Sequence, residues 1–490
     1  MCSAVLLLAA CHAARRPPAS AAVSPHAPAL TSLQRDIDAI LALPPLERGY
    51  WGVVVRSLSS GETLYERDAR KLLMPASAMK IVTLAAAAAT LGWDYTFATN
   101  LLAAGPIDAG ALHGDLVVVG SGDPSITSAD GDALFGEWAE RLKAAGVRVV
   151  DGRVVGDDNA FDDNGLGFGW SWDDLPDDYA AGVSALQFNE NAVRVTVSPG
   201  PAAGDWAGVT IAPGGSGLAI ESAVTTTDAG SPASIAAHRL PGSMRLALHG
   251  TIGAGAAAAA LTVSVDNPTL FFTAALRGVL IAHGIDVRGP AVDVDDLHDP
   301  PKPRGAPIAT HRSPPLSTLA VRLMKVSQNL YAETLLKALA ARPGGPPADA
   351  EGGRKEVAAV LAPWGIDAGA LIQRDGSGLS RYDYVTADAL LTILAHVDRD
   401  ERLRGPFEAA LPIAGRDGTL ANRMKGTPAE GNARAKTGSM SNVRALAGYV
   451  TAASGERLVF ALMANNFDAS GETITRAEDE IVVRLAQFAR

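Results

Sequence analysis

A chain of 490 residues is too long for one ordinary core and points to two or three domains. Hydrophobic residues at 48% and charged ones at 19% exclude a disordered chain, and a formal charge of -11 without any Lys/Arg block argues against nucleic acid as a partner. Only Cys2 and Cys11 occur, both in the first apolar run, so the folded body has no thiol for a disulfide, a cysteine nucleophile or a zinc cluster.

Ser3 to Ala10 is apolar, too short to span a bilayer but adequate for the core of a secretory signal. Leu8-Ala9-Ala10-Cys11 resembles a bacterial lipobox, which makes Cys11 the lipidation candidate. Two features depart from that pattern: no Lys or Arg precedes the run, and Arg15 and Arg16 follow it. An ordinary signal peptide is the alternative. Residues 13–30, rich in Ala and Pro, read as a tether, so residues 1–30 are set apart from the folded body.

Thr31 to Leu43 reads as an amphipathic helix, and Tyr50 to Leu58 with Glu62 to Arg67 as a hairpin around Ser60-Gly61. Ala76 to Leu91 is apolar on every side, the pattern of a helix in the middle of a domain. Residues 97–262 change texture to short β-like runs, such as Asp115 to Val119 and Val193 to Val197, separated by Gly, Pro and Asp. Helical pattern returns at Pro268 to His283 and Leu316 to Leu339. Three strands, Ala433 to Thr437, Val443 to Val450 and Leu458 to Ala464, precede a closing helix at Glu472 to Phe488. The expected fold is therefore α/β (α+β). One domain is built from residues 31–96 plus 263–490, and residues 97–262 form an inserted, mainly β lobe with room for two subdomains.

Three short motifs carry chemistry. Ser77-Ala78-Met79-Lys80 opens the apolar helix, so Lys80 lies on the same face as Ser77, and an ammonium among Ala, Ile and Val is pushed toward the neutral base. Ser327-Gln328-Asn329 sits in a bend between helical stretches, where both outer side chains can enter one cleft. Lys436-Thr437-Gly438, followed by Ser439, ends a strand: Gly admits a substrate backbone, Lys brings positive charge, and the hydroxyls suit a carboxylate. A Ser-x-x-Lys alone arises by chance about once in such a chain, but the three in this order, each on a suitable element, form a strong conjunction. The set is that of β-lactamases and penicillin-binding proteins.

The chain further resembles the penicillin-binding protein 4 type of D-alanyl-D-alanine carboxypeptidase/endopeptidase (peptidase family S13, DacB-like), whose long insertion matches the spacing from Ser77 to Ser327. Similar stretches include Met74 to Lys80, Gly120 to Pro124, Val183 to Leu186, Val326 to Glu333, Asp375 to Arg381 and Gly415 to Thr419. Gln328 stands where Asp is frequent and Ser439 where Thr is frequent. The resemblance implies a penicillin-binding-protein/β-lactamase-like transpeptidase fold and hydrolysis of peptidoglycan stem peptides or cross-links through a Ser77 acyl-enzyme. Lys80 would act as base, Ser327 and Lys436 in proton return, Asn329 in holding Lys80 and the substrate amide, and Thr437, Gly438 and Ser439 in substrate binding. It also implies β-lactams as covalent inhibitors, no metal or cofactor, an exported protein of the periplasm or cell envelope, and a homodimer as one allowed assembly. By the same resemblance Asp157, with Asp158 beside it, would attract the free amino group of a stem-peptide diamino acid.

Other readings fit less well. A β-lactamase would carry Glu-x-x-x-Asn shortly after Ser327, a Ser-His-Asp hydrolase would carry Gly-x-Ser-x-Gly, and a phosphate loop would need Lys at Asn432. A non-catalytic wall-binding scaffold lipoprotein would not need Ser77, Lys80, Ser327, Asn329 and Lys436 all intact.

Overall fold

The opening hairpin of the chain pairs with its closing strands in a five-stranded antiparallel sheet. The strand order is Thr63–Arg67, Tyr50–Ser57, Arg457–Asn465, Val443–Thr451 and Arg434–Met440. Trp51 lies opposite Ala464 and Val55 opposite Phe460. The computed structural model describes residues 27–303 and 305–490. Residues 1–26, with the expected leader, the lipobox and Cys11, lie outside them. No helix among the described residues is long and apolar enough to cross a membrane.

Both faces of this sheet are covered, so its strands are apolar at consecutive positions rather than alternating. Val53 and Val55 enter a core with Ile37 of the helix Ala27–Leu41 and with Ile481 and Leu485 of the helix Gly471–Gln487. Val54 faces the other way, into a core shared with Ile81 and Val82 of the helix Met79–Leu91. That helix is buried from Met79 through Ala88, and burying each large apolar side chain contributes roughly 1.5–3 kcal/mol. Its alanines admit the helices Asn329–Ala340, Ala350–Leu361 and Ala387–Arg399 close around it. The mixed helix-and-sheet class expected from the sequence is the class observed.

The mid-chain lobe has a mixed five-stranded sheet in the order Ala291–Asp293, Val154–Asp157, Asp115–Gly120, Ala98–Ala104 and Ala309–Arg312, with smaller sheets beside it. Two features correct the sequence expectation. The expected boundary at residue 262 falls too early, because the strands Ala291–Asp293 and Ala309–Arg312 hydrogen-bond to Val154–Asp157 and Ala98–Ala104. Phe271, Phe272 and Leu276 of the helix Pro268–Ala282 likewise share a core with Phe135 and Trp138, so the lobe runs to about residue 313 by these contacts. The second feature is a helix at Ser128–Ala144, absent from the expected mainly β texture. Its Gly131 and Gly136 weaken the helical pattern, yet any Cβ there would press on Phe188 and His283. Close packing selected glycine over helix propensity.

Candidate active site

Ser77 sits in a single 3-10 turn, Ala76–Ala78, at the N-terminal end of the buried helix Met79–Leu91, where the helix dipole is positive. Ala76 has φ of 46°, a left-handed conformation that swings the chain into this turn. One turn on, Lys80 Nζ donates to Ser77 Oγ at 3.0 Å, to Asn329 Oδ1 at 2.6 Å and to the Ser377 carbonyl at 2.9 Å. Lys80 is 0% exposed. Burial strips water from the ammonium and lowers its pKa to about 7, although Asp375, Glu333 and Asp383 pull the other way.

Ser327 lies between the helices Leu316–Lys325 and Asn329–Ala340 with φ of 63°, again left-handed. Its Oγ accepts from Lys436 Nζ at 2.9 Å. Lys436 is fully buried, and burial followed by the nearby Lys80 charge drives its pKa well below the usual lysine range. Asn329 opens its helix and joins two parts of the molecule: Oδ1 accepts from Lys80 while Nδ2 donates to the Tyr179 carbonyl at 2.7 Å. Gln328 points elsewhere, donating to Glu190 at 2.8 Å, a carboxylate also gripped by Arg322.

Lys436-Thr437-Gly438 lies inside the edge strand Arg434–Met440 rather than at its end. A Cβ on Gly438 would collide with the Pro75 carbonyl oxygen, so only glycine lets this strand lie against the Ser77 turn. Thr437 Oγ1 donates to Thr419 Oγ1 at 2.8 Å. Ser77, Ser327, Asn329 and Ser439 line one cleft of about 750 Å³, whose other walls include Trp170, Asp174, Tyr179, Leu379 and Arg381.

Two serine–lysine pairs facing one cleft, in this chain order, invite comparison with known proteins. The model of the D-Ala-D-Ala carboxypeptidase 3 (S13) family matches residues 33–488. The chain belongs to that family. A D-alanyl-D-alanine carboxypeptidase of Actinomadura sp. (strain R39) is 37% identical over 473 residues, covering 94% of this chain and 85% of the relative. The crystal structure of penicillin binding protein 4 (DacB) from Haemophilus influenzae superposes with a TM-score of 0.81 at 27% identity, covering 94% of this chain and 99% of that one. The same Haemophilus protein complexed with a β-lactam gives a TM-score of 0.74 at 25% identity, over 94% and 99% of the two chains.

Within this S13 chain the structure brings together Ser77, Lys80, Ser327, Asn329, Lys436, Gly438 and Ser439, with Thr437 directed to Thr419. It does not bring Asp157 to them. Asp157 ends the strand Val154–Asp157 and accepts from Asn159, away from the cleft lining. Asp158 accepts from Ser184 and Thr269 and lines a separate pocket of about 410 Å³. Asp174, on a lobe segment that borders the same cleft as Ser77, is the acidic residue lining it among the described residues. Sequence reasoning also gave no role to Trp170, Arg381 or the buried carboxyls Glu333, Asp375 and Asp383. The stretch Asp375 to Arg381 was visible as a family likeness, but nothing in its residue types announced three carboxyls converging behind Lys80.

Proposed function

We propose that this cleft hydrolyses D-alanyl-D-alanine termini, or D-alanyl cross-links, of peptidoglycan stem peptides through an acyl-enzyme on Ser77. The observation that carries the reading is Lys80 Nζ, fully buried, 3.0 Å from Ser77 Oγ, with a hydroxyl, an amide oxygen and a backbone carbonyl as its hydrogen-bond partners. A lysine so placed is a base at neutral pH. Ser77 Oγ attacks the penultimate D-Ala carbonyl while its proton passes to neutral Lys80. The backbone N–H groups of Ser77 and Ser439 receive the oxyanion, each such donor being worth about 2.7–4 kcal/mol in the transition state. The C–N bond breaks as Ser327, hydrogen-bonded to Lys436, gives its proton to the leaving amine and takes in its place the proton held by Lys80, which leaves Lys80 neutral for the water step. Water then attacks the ester and frees Ser77. Asn329 orients Lys80 and the substrate amide; Thr437 and Ser439 take the terminal carboxylate.

Arg381 and Asp174 give the cleft one cationic and one anionic wall, which fits a diamino-acid side chain bearing both charges. Asp174 thus takes the part expected of Asp157. A β-lactam would enter the same acylation, leaving a ring-opened ester that excludes water. The mid-chain lobe, through Trp170 and Tyr179, shapes the substrate side of a site whose chemistry comes from the two chain ends. An exported protein of the periplasm or cell envelope, a lipid anchor on Cys11 and a homodimer complete this reading.

Incubation with stem pentapeptides and with cross-linked dimers tests it: D-Ala release or dimer loss is expected, and Ser77→Ala should lose both. Equal turnover by Ser77→Ala would overturn the proposal.

A further inference from the structure

Behind Lys80 the loop 374–380 is wrapped around three buried carboxyl groups. Asp375, fully buried, accepts through Oδ1 from the Gly378 N–H at 2.6 Å, and through Oδ2 from the Ser380 N–H at 2.7 Å and the Trp170 indole N–H at 2.8 Å. Glu333 accepts from the N–H groups of Gly376 at 2.8 Å and Ser377 at 2.7 Å, and Asp383 from that of Arg374 at 2.5 Å. The loop so held offers its Ser377 carbonyl to Lys80 Nζ. Burial first, and then Asp375, pushes the pKa of both Glu333 and Asp383 upward, which favours their neutral forms.

The geometry points to Asp375 as a positioning residue that ties the mid-chain lobe to the base: it latches Trp170 onto the cleft wall, fixes the loop carrying the Ser377 carbonyl, and places a carboxyl group behind Lys80. Trp170 comes from the lobe and lines the cleft, while Ser377 belongs to the chain-end domain, so a single carboxylate joins substrate wall and base. The charged and titratable groups around Lys80 are Asp375, Glu333 and Asp383 on one side and Lys436 on the other. Asp375 comes first among the three carboxyls whose charge opposes further loss of the Lys80 proton.

The inference rests on Lys80 being the base, and its test separates the two. Acylation by benzylpenicillin is followed against pH for the wild type, Asp375→Asn and Glu333→Gln, with melting curves confirming folding. Asp375→Asn should lower the plateau rate by about 10²-fold through a misplaced loop. It should also move the midpoint to lower pH by about one pH unit, because removing a negative charge lowers a neighbouring ammonium pKa. Glu333→Gln should move the midpoint in the same direction but by less, as the weaker of the two charges on Lys80. A folded Asp375→Asn with an unmoved midpoint, or an equal displacement in Glu333→Gln, overturns the inference. A wild type that never acylates Ser77 refutes the base itself. Should Asp375→Asn fail to fold, Trp170→Phe, which removes the indole N–H together with the five-membered ring that carries it, carries the test: KM for a stem peptide should rise and the plateau acylation rate should fall as the loop loosens, and an unchanged plateau rate overturns the latch.

Discussion

Two buried lysines, one under the cleft and one at the seam with the mid-chain lobe, differ in what touches the amine. Lys337 lies toward the far end of the helix that Asn329 opens, with its Nζ 2.7 Å from Asp162 Oδ1 and bonded to the carbonyls of Asp162 and Asn164. Lys80 is no less buried, but its partners are a hydroxyl, an amide oxygen and a carbonyl. A touching carboxylate stabilises the ammonium, whereas neutral acceptors cannot repay its lost hydration. Lys80 thus has the surroundings that favour a neutral amine, and Lys337 an ion pair that ties its helix to the segment around Asp162.

The contrast can be broken or sharpened by substitution. Lys80→Ala should slow acylation by benzylpenicillin by about 10²–10⁴-fold, the range of a lost general base. Gly438→Ala should cost about 10²-fold, because the new methyl drives the edge strand off the Pro75 carbonyl and shifts Ser439 from Ser77. Comparing kcat/KM for substrates with and without a charged diamino acid, Asp174→Ala should reduce the preference by about fivefold, as expected of a partly solvated charge contact. Lys337→Met should leave the acylation rate of folded protein unaltered while removing about 3 kcal/mol of stability, since Asp162 loses its cation. If Lys337→Met slowed acylation as much as Lys80→Ala, the distinction between base and anchor would fail.

Much of this arrangement is legible in the sequence where structure is local or buried on two sides. The strands Val443–Thr451 and Arg457–Asn465 announce themselves as apolar runs because neither face meets water. Ser77 and Lys80 are one helical turn apart, so their contact follows from spacing. What was not legible depends on partners distant in the chain. The helix Ser128–Ala144 hides behind glycines chosen for Phe188 and His283, and the lobe boundary moves because strands near 291 and 309 pair with strands that precede residue 160. Asp157 and Asp174 look alike in an Asp-rich stretch, and what separates them is that the segment 169–179 lines the cleft with Ser77. Glu333, on the helix Asn329–Ala340, meets Asp375 and Asp383 of one loop later in the chain, a grouping that no local pattern encodes.

The central claim, that Ser77 is activated by a neutral buried Lys80, is tested most directly by the pH dependence of benzylpenicillin acylation with the adduct mapped. The protein should gain one intact drug mass, located on Ser77 and absent from Ser77→Ala. Below the Lys80 pKa the amine is protonated and cannot accept the Ser77 proton, so the rate should climb as pH rises through about 7 and then level. An adduct on another residue, or a Ser77 acylation rate that does not change across that range, would contradict the account.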